Sequence, residues 1–136
     1  MAEAFARAYG SDVLEAHSAG LAPALALAPL THAVMLEKNI DLGDFYPKEM
    51  SRIQGKMDLV INMSGYELQL RYPAAVEEWD VADPIGEAED VFRKVRDEIE
   101  QRVTRLIATL RSRKTVASEP VSNGARVDSR RRPTRQ

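Results

Sequence analysis

The sequence predicts an α/β fold of three layers, a small parallel sheet flanked by helices. Three observations carry this. Met57-Asp-Leu-Val-Ile-Asn-Met63 is a nearly unbroken apolar run of strand length, as a buried parallel strand requires. Val91, Phe92, Val95, Ile99, Val103, Leu106, Ile107 and Leu110 recur at spacings of three and four, the period of an amphipathic helix. Strand-like and helical segments alternate along the chain, the pattern of a parallel sheet.

The elements follow in order. Residues 2–9, strong helix formers with Ala at every second position, form a first helix, and Gly10 supplies its stop. No residue before it in the sequence offers a side-chain N-cap. Val13 to Ser18 reads as a strand, closed by Ser18-Ala19-Gly20. Residues 21–30 are rich in Ala, Leu and Pro, and Pro23 and Pro29 prevent a continuous helix. Thr31 caps a helix over 32–39. A loop covers 40–47, and a short helix lies around Lys48–Ile53. Strand 57–63 ends at Ser64-Gly65, and a helical or irregular stretch leads to Tyr72-Pro73. Val76 to Val81 is a third strand. The last helix runs from about Glu87 to about Arg113, with charged residues on its outer face. Three parallel strands make a thin sheet. A right-handed β-α-β unit implies a strand feeding the first helix from ahead of residue 1.

A chain of 136 residues makes one domain, taken here as 1–113, with a disordered basic tail over 114–136. The tail is rich in Ser, Pro, Asn and Arg and cannot bury enough surface to offset its chain entropy. It holds six Lys/Arg against two Asp/Glu, a net +4, which leaves residues 1–113 at −6 within an overall −2. An acidic body argues against nucleic-acid binding. Arg130-Arg131-Arg132 reads as part of a solubilising tail before it reads as a site for nucleic acid or acidic lipid. No apolar run approaches the ~20 residues of a membrane span, and residues 1–5 lack the pattern of a secretory leader. The expected location is cytoplasmic, without membrane contact. The cysteine count is zero. Disulfides, thiolate metal sites and cysteine nucleophiles within the chain are thereby excluded. His17 and His32 are the only histidines. Each reads as a surface or packing residue, and with scattered carboxylates they form no metal-ligand pattern. No metal and no cofactor are expected.

The segment Glu78-Trp79-Asp80-Val81-Ala82-Asp83-Pro84-Ile85-Gly86 joins the third strand to the last helix. Taken alone, Asp83 is a turn carboxylate, or one favoured by the helix dipole. Ser18 and Ser64 lack an adjacent base at a recognised spacing, and Tyr66 and Tyr72 read as half-buried packing residues.

Four segments in order resemble the superfamily of low-molecular-weight protein tyrosine phosphatases and cysteine-based arsenate reductases. Met1-Ala-Glu-Ala-Phe-Ala-Arg7 resembles the helix after the family's phosphate-binding loop. Ser18-Ala-Gly-Leu21 resembles the end of its second strand. Asp58-Leu-Val-Ile-Asn-Met63 resembles a later strand. Trp79-Asp-Val-Ala-Asp83-Pro84-Ile-Gly86, with Phe92-Arg-Lys-Val-Arg-Asp-Glu-Ile99, resembles the acid loop and last helix. The match covers about residues 1–112.

The resemblance implies a four-stranded parallel sheet whose first strand leads into a Cys-x5-Arg loop. In the family the cysteine attacks phosphorus, while loop N–H groups and the arginine hold the oxyanion at a helix N-terminus. An Asp of the Asp-Pro loop protonates the leaving group and then activates water. By motif that acid is Asp83, since Asp80 lacks the following proline. The resemblance also implies that Met1 falls just after the family's loop, so that the chain is N-terminally truncated and lacks the first strand, the Cys and the Arg. Losing about six buried residues at ~1.5–3 kcal/mol each exceeds typical domain stability, so a folded chain has to compensate.

The expected function is that of a low-molecular-weight protein-tyrosine-phosphatase-like protein, hydrolysing phosphomonoesters by resemblance but inactive as given. The partner implied is a phosphorylated protein, a small phosphomonoester or an oxyanion. An arsenate reductase-like role is one alternative. It is set second because Met63 to Tyr72 holds no cysteine for a thioredoxin-coupled relay. A non-catalytic binding or regulatory protein is the other. Unpaired strand edges would then support a homodimer.

Overall fold

The computed structural model describes residues 1–21, 27–43, 45–53 and 55–131, with side chains up to residue 115. Helix α1 spans Ala2–Gly10. Gly10 does not act as the expected left-handed stop. It is the last helical residue, and Ser11 after it is right-handed at φ −61°. Its role is closeness, because a Cβ on Gly10 would lie 2.7 Å from Ile107 Cδ1.

The expected strand over 13–18 does not form. Val13 and Leu14 N–H groups both donate to Gly10 O, and the Ala16 carbonyl accepts from Arg7. The one β-bridge in this region is Gly20 to Glu49. A strand exists only where a neighbour completes its ladder, and none of the described residues does so here.

Helix α2 spans Pro29–Leu36, earlier than expected. Pro29 is a starter rather than a breaker, since its missing N–H falls at a position with no intrahelical acceptor. Ala28, not Thr31, precedes the first turn. The helix closes in a Schellman motif. Asn39 is left-handed (φ 61°), Ile40 N donates to Met35 O (3.1 Å) and Asn39 N to Leu36 O (2.9 Å). A single 3₁₀ turn, Met50–Arg52, replaces the short helix expected around 48–53.

Strands β1 (Leu59–Asn62) and β2 (Ala75–Glu78) pair in parallel, in register from Leu59↔Ala75 to Asn62↔Glu78. These are the cores of the expected strands 57–63 and 76–81. Among the described residues the sheet has two strands where three were expected. No helix forms between Ser64 and Pro73.

Helix α3 spans Glu89–Arg131. Its expected apolar face is the spine of the core. Val95, Ile99, Val103 and Ile107 are buried against Ala4, Phe5, Ala6, Met35, Leu42 and Trp79, and Phe92 on the same helix is buried as well. The expected boundary near residue 113 is not marked by a helix end. The helical backbone continues through Pro120 and Gly124, while the Arg130–Arg132 side chains and all of 132–136 lie outside the described residues. No described helix is long and apolar enough to cross a membrane.

Polar clamps fix the helices to one another. Tyr9 Oη donates to Glu100 Oε2 (2.7 Å), and the Arg111 fork holds both Asp12 oxygens (2.8 and 2.9 Å). Arg96 departs from the rule that charged residues take the outer face. It is only 7% exposed and donates to Val34 O (2.9 Å) and Glu37 Oε1 (2.6 Å).

Candidate functional site

A groove of about 720 Å³ opens beyond the C-terminal ends of β1 and β2. This is where open parallel sheets place ligands. Its walls are the start of α1 (Met1, Ala2), the turn after β1 (Asn62–Gly65) and the loop Trp79–Ile85. Asp83 lines it, together with Asp80 and Glu78.

The loop carrying Asp83 is built from its ends inward. Trp79 is buried in the core, its backbone N–H donates to Asn62 O (3.0 Å) and its indole N–H to Glu77 Oε1 (3.0 Å). The Arg102 guanidinium covers its ring at 5.8 Å. At the far end Glu87 N donates to Pro84 O (2.9 Å), with Gly86 at φ 84°. This is a type II turn, whose third residue requires a left-handed backbone. Nothing crowds Gly86, so glycine is needed there for its dihedral rather than for space.

Asp83 itself is exposed, and its Oδ1 accepts from Ile85 N (3.1 Å). The bond fixes one carboxylate oxygen in an Asx turn. Asp83 lies six positions ahead of α3, too far to cap it. Glu89 and Asp90 occupy the first turn of that helix. Asp80 is exposed on the same loop. Of the two, only Asp83 accepts a hydrogen bond within its own turn.

Asn62 organises the opposite wall and was not singled out from the sequence. It is 3% exposed. Its Nδ2 donates to Tyr66 O (2.7 Å) and Glu78 Oε1 (3.1 Å), while its Oδ1 accepts from Ser64 N (3.0 Å) and Ser64 Oγ (2.7 Å). Its backbone carbonyl also holds Trp79. One amide side chain thus ties the turn after β1 to the end of β2. The available signal was a lone polar residue inside Leu59-Val-Ile-Asn-Met63, directly before Ser64-Gly65.

The charge of the groove is one-sided. Glu78, Asp80 and Asp83 line it, and no Lys or Arg side chain does among the described residues. Met1 contributes an α-amino group that burial pulls below its ordinary value of 8.0, with Glu3 acting in the opposite sense. A tetrahedral oxyanion entering the groove would therefore meet carboxylates and no Lys or Arg side chain among the described residues. Ser64 Oγ is engaged with Asn62, so it is no activated nucleophile.

The other candidates are dispersed. His17 is exposed and pairs with Glu15 (3.0 Å), and His32 is half-buried within α2. Ser18 Oγ donates to Glu3, a buried carboxylate that also pairs directly with Arg7 and Lys48; Glu3, Ser18 and Lys48 line a second cavity of about 220 Å³. Tyr66 is 72% exposed, against the half-buried packing expected, because the turn held by Asn62 projects it outward. Tyr72 is half-buried and its hydroxyl accepts from Met57 N (3.0 Å).

The sequence profile of the low molecular weight phosphotyrosine protein phosphatases matches residues 1–116. The chain belongs to that family. A glutaredoxin arsenate reductase of Synechocystis sp. is 32% identical over 116 residues, covering 81% of this chain and 87% of the relative. Arsenate reductase 1 of Bacillus cereus is 33% identical over 114 residues, covering 80% and 84%. Among solved structures, an arsenate reductase in the phosphate binding state superposes with a TM-score of 0.71 at 30% identity, over 80% of this chain and 86% of that one. The low-molecular-weight phosphatase fold of a small parallel sheet with helices is therefore as expected. The expected phosphatase-like reading holds at the level of the family, while the names of the relatives and of the solved structure are those of arsenate reductases, the alternative set second.

Proposed function

We propose that this chain is an arsenate reductase-like member of the low-molecular-weight phosphatase family, in which Asp83 is the proton-transfer residue of an oxyanion site. One observation carries the reading. The Asp83-Pro84 loop and the first residues of α1 face each other across a single groove. In the family the helix resembling α1 follows the phosphate-binding loop, so the groove corresponds to the place of that chemistry. An acid on a loop pinned by Trp79 at one end and a type II turn at the other can be held over a bound oxyanion. The names of the relatives favour arsenate over phosphomonoesters as the ancestral substrate class. The 136 residues hold no thiol, and no guanidinium of the described residues lines the groove, so a thiolate step is not one they carry out alone.

The test has two arms. The 136-residue chain, offered arsenate with a thiol reductant or p-nitrophenyl phosphate, is expected to show no turnover. Turnover that survives Asp83→Asn would sink the assignment. In the second arm the strand and Cys-x5-Arg loop of an arsenate reductase are fused ahead of Met1. The fusion is expected to oxidise thiol in an arsenate-dependent manner faster than it hydrolyses p-nitrophenyl phosphate. Asp83→Asn should lower its faster activity by about 10²–10⁴-fold, the range of general acid–base catalysis. An unchanged rate there would remove Asp83 from the chemistry.

A further inference from the structure

The loop that carries Asp83 has few attachments of its own. Among the described residues, no hydrogen bond joins residues 80–86 to anything outside the stretch 79–87. Ile85 N donates to Asp83, and Glu87 N to Pro84 O. Val81 rests against the core, and the remaining ties lie at Trp79. The place of Asp83 is therefore inherited from the point where β2 ends.

That point is referred to Asn62. Its backbone carbonyl takes the Trp79 N–H (3.0 Å), and its Nδ2 donates to Glu78 Oε1 (3.1 Å). The same side chain holds the facing wall, through Tyr66 O on Nδ2 and Ser64 N and Oγ on Oδ1. Both amide hydrogens and both lone pairs of the oxygen are thus engaged. Only one orientation of the amide allows this, because Tyr66 O can only accept and Ser64 N can only donate. Turned over, the amide would set oxygen against oxygen at Tyr66 and at Glu78. A residue needed only to fill this strand would be apolar, as Leu59, Val60 and Ile61 are. A buried amide is costly unless paired, and here every pairing reaches one wall of the groove or the other.

We propose that Asn62 is a positioning residue, acting through Glu78 and Trp79 to set the spacing of Asp83 from the wall formed by the turn after β1. It touches no reacting atom. Misplacing a reacting group by ~1 Å can cost about 10²-fold in rate, so the width of the groove is a quantity worth fixing. This deepens the reading of Asp83 as the proton-transfer residue and rests on it, but the geometry is tested without turnover. An inert Asp83→Asn in the fusion would remove the chemistry and leave the coupling standing. A failure of the coupling would leave the chemistry standing.

The test uses the isotope-labelled full chain and exploits the polarity of one hydrogen bond. Asn62→Asp has nearly the same shape and keeps both acceptor contacts to Ser64. It has no donor for Glu78, and it sets two carboxylates against each other. Glu78→Gln alone still offers an acceptor to Asn62. The two substitutions together restore the bond with donor and acceptor exchanged. Backbone order parameters of residues 80–83 are expected near the rigid value of about 0.85 in the parent chain and in Glu78→Gln, and below about 0.6 in Asn62→Asp. The double variant should return to within about 0.1 of the parent on the same scale. Val95 to Val103 on α3 should keep the parent values in every variant. Glu78→Ala decides the same question should Asn62→Asp not fold. It should loosen residues 80–83 while residues 64–66, still held by Asn62, stay ordered. Three results would overturn the proposal. The first is order at 80–83 retained in Asn62→Asp or in Glu78→Ala. The second is a double variant no more ordered there than Asn62→Asp. The third is an equal loss of order along α3, which would make Asn62 a residue of the fold at large.

Discussion

Between α1, α2 and α3 apolar contacts are filled and their flanks pinned; β1 and β2 share one short parallel ladder, and β2 is exposed along its length. Phe5, Met35 and Phe92 are essentially inaccessible, and buried Arg96 ties α3 to the backbone of α2. Every residue of β2, by contrast, is exposed. The difference teaches where this molecule keeps its stability and where it keeps its capacity to interact. Packed helices bury apolar area within one chain, but a parallel strand needs a neighbour on each side.

Substitutions can break this contrast if it is wrong. The largest effect is expected from Phe5→Ala, which empties the centre of the core and should cost about 3–5 kcal/mol in urea unfolding. Val76→Ala on β2 should cost no more than about 0.5 kcal/mol. Equal losses at the two sites would mean the sheet contributes as much as the helices.

Asn62→Ala should come next, at about 1–3 kcal/mol, because it removes the acceptor of Ser64 N–H and one of the two donors to Tyr66 C=O at a part-buried turn. It should also change Trp79 fluorescence, since the Asn62 wall and the Trp79 loop are joined. Arg96→Ala should cost a similar amount by leaving Val34 O without its donor. If Asn62→Ala leaves the Trp79 signal untouched, the two walls of the groove are independent.

The smallest effects are set by pH, and they report on the helical side alone. Hydrogen bonds from Arg93 and then Arg96 hold the Glu37 carboxyl at about 2, against an ordinary 4.5. Because the folded value is the lower one, this stabilisation is present above pH 4.5 and is lost as pH falls from there toward 2. Donation to Glu100, followed by partial burial, pushes the Tyr9 hydroxyl up to about 12 from 10.0. Its contribution is complete below pH 10 and is lost as pH rises through about 12. Glu37→Gln should flatten the acid limb of a stability-against-pH curve, and Tyr9→Phe the alkaline limb. Unchanged limbs would remove these clamps from the account.

Much of the architecture was legible from local patterns. The 3.6-residue period of Val91 to Leu110 marked the face of α3 that the core uses, and the apolar run at 57–63 marked β1. Asp83 stood out through its proline and through resemblance, and it lies in the groove. Other features depend on partners distant in the chain. Val13 to Ser18 has strand-like residues but no ladder to join. Gly10 looks like a helix stop, yet it serves contact with Ile107. Arg96 looks like a surface charge until Val34 O and Glu37 enclose it. Asn62 looks like a minor interruption until four hydrogen bonds converge on it.

The sequence by itself determined the amphipathic spine, the apolar strand, the turn chemistry of Asp83-Pro84-Ile-Gly86 and the absence of any thiol, because each is set by residue type and spacing along a short stretch. Only the tertiary structure decided how many strands pair, which charges are buried, and that the acid loop, Asn62 and the start of α1 share one groove. Those outcomes arise from hydrogen-bond partners and packing between residues tens of positions apart, and no local pattern encodes which partner will be present.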